Sequence, residues 1–595
     1  MRSYSKIQWA LIIVAALAFI YVASGYICIL LNNVPLLLSF GKYYPNLTID
    51  MVLQNYPHAL QSIGIAFGIA VAAILVLLFA PARESLHGTA RFATRADIKK
   101  MGLFSPHGII VGKYDNQLLR FGGQQFVSVG APTRSGKGIG IVIPNLLEWT
   151  DSCVVQDIKQ ECYDYTSGYR QKVLKQEVYL FNPFSPDKTH RYNPLSYIDM
   201  EGRNADLELT DFANILYPTA GADSNTIFFN QLAQNLFIGL CLMNRDVKRS
   251  SFYQVLLEHD ITLPFTLKGI LELSEGIHLK IDDETTIKGF EETYSFFERG
   301  DILSNECKRR LESYFSISSD NTRSGVLSSF NAPLLMFRSE TLDNATSESD
   351  FDLRDLRKKK MTIYVGITPD QLANAKLILN IFWAQLILVN TKELPQKNSE
   401  LKYPCLLLMD EFTAPGAIDI LQKAVSFIAG YNLRFLIIFQ SISQLETKRP
   451  DGYDKEGAKT LLTNIACQIL YAPREQEDAE RFSKLLGNKT VKNSSTSFNK
   501  GWQASRSESE TSRALMLPQE LRELPYNKEV VTVDSGKPIL CSKAIYYSDK
   551  YFMDKFKLVA PSLRRINGIP TKKEFETAIL NGECKMRENF LRKHK

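Results

Sequence analysis

The sequence predicts an α/β protein: a domain with a parallel sheet, interrupted by an all-α domain and preceded by two transmembrane helices. Three observations carry this prediction. Short apolar runs of strand length alternate with helical stretches on both sides of a long helical segment. A glycine-rich loop follows one of these runs, and two carboxylates follow another. Two long uncharged runs lie near the start of the chain.

The first 81 residues are predicted to form a helical hairpin in a membrane. Residues 7–31 and 59–80 carry no charge, and a helix needs roughly 20 apolar residues to cross a bilayer. Lys and Arg lie before the first run and after the second, which places both chain ends on the cytoplasmic side. Gly64 and Gly68 have the G-x-x-x-G spacing of closely packed helices. A cleaved signal peptide is the alternative for the first run, but it does not explain the second.

Behind this anchor, the sequence pattern divides the chain into further parts. Residues 82–104 are expected to be a basic linker, and residues 201–345 show helical periodicity throughout. Residues 561–595 form a basic tail, for which a solvated terminus is favoured over a binding tail, and the serine-rich stretch 487–513 is a mobile loop or an exposed hairpin. The nucleotide-binding domain is assigned to residues 105–200 and 346–560, with strands near 125–129, 153–156, 178–181, 361–366, 405–409, 435–439, 465–471 and 529–533.

Composition narrows the class of protein. A chain of 595 residues, of which 45% are hydrophobic, is long enough for two or three folded domains. The net charge of +6 permits contact with nucleic acid without requiring it. The nine cysteines form no C-x-x-C pair, which argues against a zinc site or a disulfide framework and fits a reducing compartment.

The glycine-rich loop is the strongest local signal for a ligand. It consists of Gly130, Ala131, Pro132, Thr133, Arg134, Ser135, Gly136, Lys137, Gly138 and Ile139. A turn of this kind between a strand and a helix directs backbone N–H groups into one concavity, which suits a polyphosphate. Lys137 adds a positive charge for the β- and γ-phosphates. We therefore predict that the loop binds a nucleoside triphosphate, taken as ATP.

Two carboxylates complete the predicted site. Asp410 and Glu411 directly follow the apolar run 406–409. Asp410 is expected to hold Mg²⁺, directly or through water, and Glu411 to polarise the attacking water as a general base. The motif normally has Ser or Thr after the lysine as a further Mg²⁺ ligand, but this chain has Gly138. The metal would therefore depend more on Asp410, phosphate oxygens and water.

Other polar residues lie just after predicted strands and are candidates for supporting roles. Gln440 is expected to contact the γ-phosphate or to orient the water, and a simple turn residue is the alternative. Asp157 and Lys159 lie where ligands bind in such sheets, with an exposed charged turn as the alternative. Arg474 and Arg513 are candidates for an arginine that reaches the nucleotide of a neighbouring subunit.

These motifs together resemble those of type IV secretion coupling proteins of the TraG/VirD kind. The resemblance runs from the anchor to about residue 550, and Gly after the lysine is a recurring variant within this family. Gln160 departs from the family pattern, which has Gly there. The motifs that carry the resemblance are residues 88–93, 131–138, 157–161 with 166–170, 352–356, 363–365, 408–412 and 440–445.

The resemblance implies a RecA-like ATPase domain and an all-α domain in a hexameric ring at the inner membrane, with ATP bound between subunits. Family members recruit relaxase-bound single-stranded DNA or effector proteins and deliver them to the secretion channel. Three hypotheses follow for this chain. It couples ATP hydrolysis to export of a nucleoprotein, it exports protein effectors alone, or it is a docking receptor in which nucleotide only controls assembly.

Overall fold

The computed structural model describes residues 6–32, 57–79, 86–219, 221–280, 286–498 and 504–587. The chain divides into two compact units. The first comprises Met1–Thr89 with Thr490–Thr511, and the second comprises Ala90–Lys489 with Ser512–Lys595. The predicted sheet and the predicted all-α segment both belong to the second unit, so the domain boundary between them remains a prediction.

The first unit contains the two predicted membrane-spanning helices. They extend over Lys6–Leu31 and Ala59–Phe79, and both are long and apolar enough to cross a bilayer. Asn32 closes the end of the first helix, because its Nδ2 donates to the carbonyl of Cys28 at 2.9 Å and to that of Pro57 at 2.7 Å. The predicted spans 7–31 and 59–80 are therefore confirmed as helices over their described residues, 7–31 and 59–79. The segment that joins them lies outside the described residues.

Gly64 and Gly68 do not lie at the contact between the two described helices. A Cβ atom added at either position would meet nothing within 4 Å, so neither glycine faces the other helix. The spacing of two glycines identifies a possible contact face, but not which face the partner helix takes. Small residues on a different stripe of the helix are buried instead: Ala59, Ser62, Ala66 and Ala70.

An eleven-stranded sheet forms the centre of the second unit. The strands, numbered along the chain, are β1 Ile109–Tyr114, β2 Gln117–Phe121, β3 Val127–Gly130, β4 Ser152–Asp157, β5 Glu177–Phe181, β6 Ile277–Lys280, β7 Thr286–Gly289, β8 Met361–Gly366, β9 Cys405–Met409, β10 Leu433–Phe439, β11 Cys467–Leu470, β12 Asn488–Phe498, β13 Ala504–Ala514, β14 Lys528–Val533 and β15 Ile539–Ser542.

The order of strands in the large sheet is β2-β1-β15-β14-β11-β3-β10-β9-β4-β8-β5. Strands β11, β3, β10, β9, β4, β8 and β5 are parallel, as predicted. Two smaller sheets pair β6 with β7 and β12 with β13.

The sheet is mixed, because an antiparallel extension follows β11. Strands β14, β15, β1 and β2 pair antiparallel along this edge, and only β14 was predicted as a strand. Strands β2 and β15 contain exposed or partly exposed residues between buried ones, and β1 has Gly112 at a break in its register with β2, so none of the three has the continuous apolar run of the central strands. Both faces of the central strands are covered: Leu406 and Leu408 belong to one core, and Leu407 and Met409 to the other.

The segment predicted to be all-α is mostly helical but contains one β-hairpin. Strands β6 and β7 pair antiparallel within it, which corrects the expectation that residues 201–345 are helical throughout. Its core is continuous with one face of the large sheet. The helices of this segment are Ala205–Leu216, Ser224–Arg249, Phe252–Glu258, Leu267–Leu273, Phe290–Arg299, Asn305–Phe315, Asp320–Leu334 and Glu340–Thr346.

Helices also cover the sheet outside this segment. One of them, Leu372–Asn390, is long and apolar enough to cross a membrane, as is Ser224–Arg249 of the helical segment, but about half of each is buried within the second unit. The remaining helices are Arg95–Lys100, Ile143–Glu148, Glu161–Lys172, Asp419–Ala424, Ile442–Leu445, Asp454–Thr463, Gln476–Leu486, Pro518–Arg522, Lys550–Lys557, Pro561–Arg564 and Lys572–Leu580.

Two segments that were predicted to lie outside the folded body pack into it. Within the expected linker 82–104, Ile98 and Leu103 are buried, and the N–H of Ala93 donates to the carbonyl of Pro538 at 2.8 Å. Within the expected solvated tail, Leu563 and Phe575 are buried in a core that contains residues of the sheet domain. The stretch 487–513 forms the hairpin alternative, with strands β12 and β13.

Candidate functional site

The predicted site residues meet at one edge of the sheet, because four adjacent parallel strands end there. Gly130 at the end of β3 is paired with Phe439 at the end of β10, and Met409 of β9 is paired with Ile437 of β10 and Gln156 of β4. The residues that follow these strands therefore converge. Ligands bind at this carboxyl edge in open α/β sheets.

The loop after β3 has the backbone conformation of a phosphate cradle. Arg134 and Gly136 have φ values of 62° and 88°, both left-handed. A Cβ atom on Gly136 would lie 2.6 Å from the hydroxyl of Tyr526, so both the backbone angle and the close approach require glycine. The N–H of Ala131 donates to the carbonyl of Phe439 at 2.9 Å and fixes the loop to β10. A π-helix over Gly138–Val142 follows and continues as Ile143–Glu148.

Lys137 lies between the two predicted carboxylates. Its Nζ is 3.1 Å from Asp410 Oδ1 and forms a shorter ion pair with Glu411. Burial acts to lower the pKa of Lys137, but the two carboxylates outweigh burial and raise it. The charge of Lys137 is thus balanced by two acids of the same chain.

The two carboxyls differ in their environment. Burial raises the pKa of Asp410 above its ordinary value, against the opposing charge of Lys137. Burial also acts on Glu411, but the ion pair with Lys137 outweighs it and lowers the pKa of Glu411. Glu411 is therefore a carboxylate at neutral pH, which a residue that accepts a proton from water must be.

Gln440 bridges the acid and the loop. Its Nε2 donates to Glu411 Oε2 at 2.8 Å, and its Oε1 accepts from Thr133 Oγ1 at 2.7 Å. Arg474 reaches the same part of the loop, where its Nη2 donates to the carbonyl of Thr133 at 2.9 Å. Arg474 thus contacts the glycine-rich loop of its own chain. Arg513 instead pairs with Glu520.

Asp157 and its neighbours border the site on the β4 side. Asp157 is buried and accepts from the N–H of Tyr163 at 2.8 Å, and burial raises its pKa to about 7. Lys159 is exposed, and its positive charge acts to lower the pKa values of both Asp410 and Glu411, although burial still raises that of Asp410 overall. Gln160 has a φ of 58°, in the left-handed region that glycine adopts without strain.

The residues at this edge fit a magnesium–nucleotide ligand. Ser135 Oγ and Asp410 Oδ1 are buried, and neither takes part in a well-directed hydrogen bond within the described part of the chain. No group of three or more His, Cys, Asp or Glu residues in that part is placed to hold a metal by itself. A metal at Asp410 would thus take its other ligands from phosphate and water.

Lys543 supports the loop from the antiparallel side of the sheet, and the sequence patterns did not reveal it. Its Nζ donates to the carbonyl of Ser135 at 2.8 Å and lies 3.6 Å from the ring centre of Tyr471 and 4.9 Å from that of Tyr526. Burial lowers the pKa of Lys543 to about 8. Lys543 follows β15, a strand that the sequence did not predict, so nothing placed it near the loop.

Comparison with known proteins assigns the chain to a family. The model of the family described as "Type IV secretory system Conjugative DNA transfer" matches residues 86–566. The chain belongs to this family. The match confirms the predicted resemblance to the type IV coupling proteins of the TraG/VirD kind.

Curated relatives cover most of the chain. Protein VirD4 of Rhizobium radiobacter is 29% identical over 510 residues, which are 82% of this chain and 68% of the relative. Conjugal transfer protein TraG of Escherichia coli is 26% identical over 572 residues, 88% of this chain and 86% of the relative.

Solved structures confirm the fold class. The bacterial conjugative coupling protein TrwBdeltaN70 in its unbound form superposes with a TM-score of 0.52 at 15% identity, over 78% of this chain and 94% of that chain. Plasmid coupling protein TrwB in complex with ADP and Mg²⁺ superposes with a TM-score of 0.51 at 16% identity, over 78% and 95% of the two chains. The RecA-like α/β fold predicted from the sequence is therefore shown.

Proposed function

We propose that this chain is a membrane-anchored ATPase that couples ATP hydrolysis to the delivery of conjugative DNA, with its bound protein, into a type IV secretion channel. The observation that carries the proposal is the position of Lys137 between Asp410 and Glu411, beside a left-handed loop at the carboxyl edge of the sheet. This arrangement combines a phosphate-binding cation, a metal-binding acid and a base within one site.

The chain's own residues would divide the chemistry as follows. Residues 130–139 hold the phosphates through backbone N–H groups, and Lys137 moves from Glu411 to the β- and γ-phosphates. Asp410 would hold Mg²⁺, which when bound neutralises the charge that develops on the phosphate oxygens. Glu411, released from Lys137 and still oriented by Gln440, accepts a proton from the attacking water. TrwB structures with ATP analogues and with ADP and Mg²⁺ support the choice of ligand.

The membrane anchor and the assembly belong to the same proposal. The two apolar helices would hold the chain in the bacterial inner membrane, with both ends in the cytoplasm as the distribution of Lys and Arg predicts. The ring would be a homo-hexamer that receives a relaxase or an effector protein and passes single-stranded DNA. Arg474 or Arg513 would complete the nucleotide site of a neighbouring subunit. The contact of Arg474 with its own loop supports Arg513 as the better candidate for that role in trans.

ATP turnover by the full-length chain in detergent tests the proposal. Phosphate release is measured at low salt with and without single-stranded DNA, at protein concentrations that allow assembly, with Lys137→Ala as the inactive control. We expect turnover that depends on Mg²⁺ and Lys137 and rises with DNA. Turnover without stimulation by DNA would favour export of protein effectors alone. No turnover in an assembled sample would favour the nucleotide-gated docking receptor.

A further inference from the structure

A buried polar side chain, Gln156, holds the backbone of the two catalytic carboxylates. It lies in β4 and is fully buried among apolar strand residues. Its Nε2 donates to the carbonyl of Glu411 at 3.0 Å and approaches that of Asp410 at 3.4 Å. Its Oε1 accepts from the indole Nε1 of Trp383 at 3.1 Å. Both ends of the carboxamide are therefore used, and each bond fixes the orientation of the other.

The backbone that Gln156 contacts is one that needs support. Glu411 has a φ of 61°, in the left-handed region that is strained for a residue with a Cβ atom. Such a conformation persists only where neighbouring groups hold it. On the far side, the N–H of Phe412 donates to the carbonyl of Ile438 at 2.8 Å. Gln156 supplies the matching bond from β4, so the turn is fixed from both neighbouring strands.

Trp383 connects this bond to a long helix. It is fully buried in Leu372–Asn390, whose Gln385 donates from Nε2 to the carbonyl of Pro194 at 2.6 Å. Pro194 lies in the chain segment that leads into the helical region. The orientation of Gln156 therefore depends on how this helix sits against the sheet.

We propose that Gln156, oriented by Trp383, is a positioning residue that keeps the Glu411 carboxylate aimed at the attacking water. The inference rests on the proposed ATPase function. Loss of the Gln156 bond would let the turn relax, and a displacement of about 1 Å at a reacting group can lower a rate about a hundredfold. Nucleotide binding depends mainly on residues 130–139 and should change little.

The chain offers a matched control for a purely structural role. Gln176 is also buried, and its Nε2 donates to two successive backbone carbonyls, those of Thr150 at 2.9 Å and Asp151 at 3.1 Å. Its Oε1 accepts from Thr362. These bonds lie near the start of β4, at the opposite end of the sheet from Glu411. Gln176→Leu should therefore lower stability without disturbing the catalytic turn.

The test compares Gln156→Leu, Trp383→Phe and Gln176→Leu in the full-length chain. We expect Gln156→Leu to lower kcat at least about tenfold with the affinity for a non-hydrolysable ATP analogue nearly unchanged, and Trp383→Phe to act in the same direction. In a Glu411→Gln background, Gln156→Leu should cause no further loss, because it acts through Glu411. An effect on kcat equal to that of Gln176→Leu, or full additivity with Glu411→Gln, would overturn the inference.

Hydrogen exchange of the peptide that covers residues 409–414 decides the inference without turnover. We expect faster exchange there in Gln156→Leu and not in Gln176→Leu. Unchanged exchange in Gln156→Leu would overturn the positioning role, even if the wild-type chain hydrolyses ATP. Absence of wild-type turnover combined with faster exchange would instead reject the proposed function and leave the positioning of the turn in place.

Discussion

Replacing Glu411 by glutamine should make the chain bind ATP more tightly while abolishing its hydrolysis. In the structure, Lys137 is paired with Glu411, so a nucleotide whose phosphates bind Lys137 must break this pair. Both side chains are largely shielded, with exposed fractions of 14% and 20%, so the pair is more than a surface contact. Glu411→Gln replaces a charged partner by a neutral one and leaves Asp410 in contact with Lys137.

The expected gain follows from the strength of this pair. A hydrogen bond to a charged group contributes about 1.5–3 kcal/mol net, against about 0.5–1.5 kcal/mol for a neutral one. The difference of about 1–1.5 kcal/mol corresponds to roughly tenfold tighter nucleotide binding. Removal of a negative charge beside the triphosphate acts in the same direction. Turnover should fall by a factor of about 100 or more, because the general base is lost.

Calorimetric titration of the full-length chain with a non-hydrolysable ATP analogue measures the affinity. Glu475→Gln is the matched control: it removes a nearby carboxylate whose Oε1 accepts from Ser443 Oγ at 3.0 Å. This control should leave the affinity unchanged. Equal or weaker binding by Glu411→Gln would refute the idea that Glu411 competes with phosphate for Lys137.

Three further predictions concern residues around the site. A Cβ atom at Gly138 would meet nothing within 4 Å, so Gly138→Ser should fold normally. Its hydroxyl should lower the Mg²⁺ concentration needed for half-maximal turnover. An unchanged Mg²⁺ requirement would show that residue 138 does not reach the metal. Gln160→Gly should relieve left-handed strain and raise the unfolding free energy by about 0.5–1 kcal/mol, measured by denaturant titration, and a decrease would contradict this account. Burial raises the pKa of Asp478 to about 6, so the folded chain retains a proton there that the unfolded chain, with the ordinary value of 3.8, has lost. Its contribution to stability is therefore complete below pH of about 4 and is lost as the pH rises through about 6. Asp478→Asn should remove this decline, roughly 2 kcal/mol in the free energy of unfolding, measured by denaturant titration at each pH. An identical pH profile in the variant would assign the proton elsewhere.

The centre of the fold and the polar residues at its edge were predictable for the same physical reason. Parallel strands buried on both faces are continuous apolar runs, and β9 and β10 are fully buried along their length. Because such strands end together at one edge, the residues that follow them converge without any knowledge of their order in the sheet. Asp410, Glu411 and Gln440 were found in this way.

The supporting contacts could not be predicted, because they join residues that are distant in sequence and lack a shared pattern. Gln156 and Trp383 are 227 positions apart, and Lys543 and Ser135 are 408 apart. A glutamine within an apolar strand and a tryptophan within an apolar helix give no separate signal for a hydrogen bond. The tail was misjudged for a related reason: its basic residues are conspicuous, whereas Leu563 and Phe575, which anchor it, are isolated apolar positions.

DNA transfer by donor cells shows whether hydrolysis at this site drives transfer. Donors would carry Glu411→Gln as their only copy of the chain, with membrane insertion and nucleotide binding of the variant verified in the same cells. We expect the transfer frequency of Glu411→Gln donors to fall by a factor of about 100 or more below that of wild-type donors, although the variant is present and binds ATP. A transfer frequency equal to that of wild type would contradict the motor and make the nucleotide a switch for assembly alone.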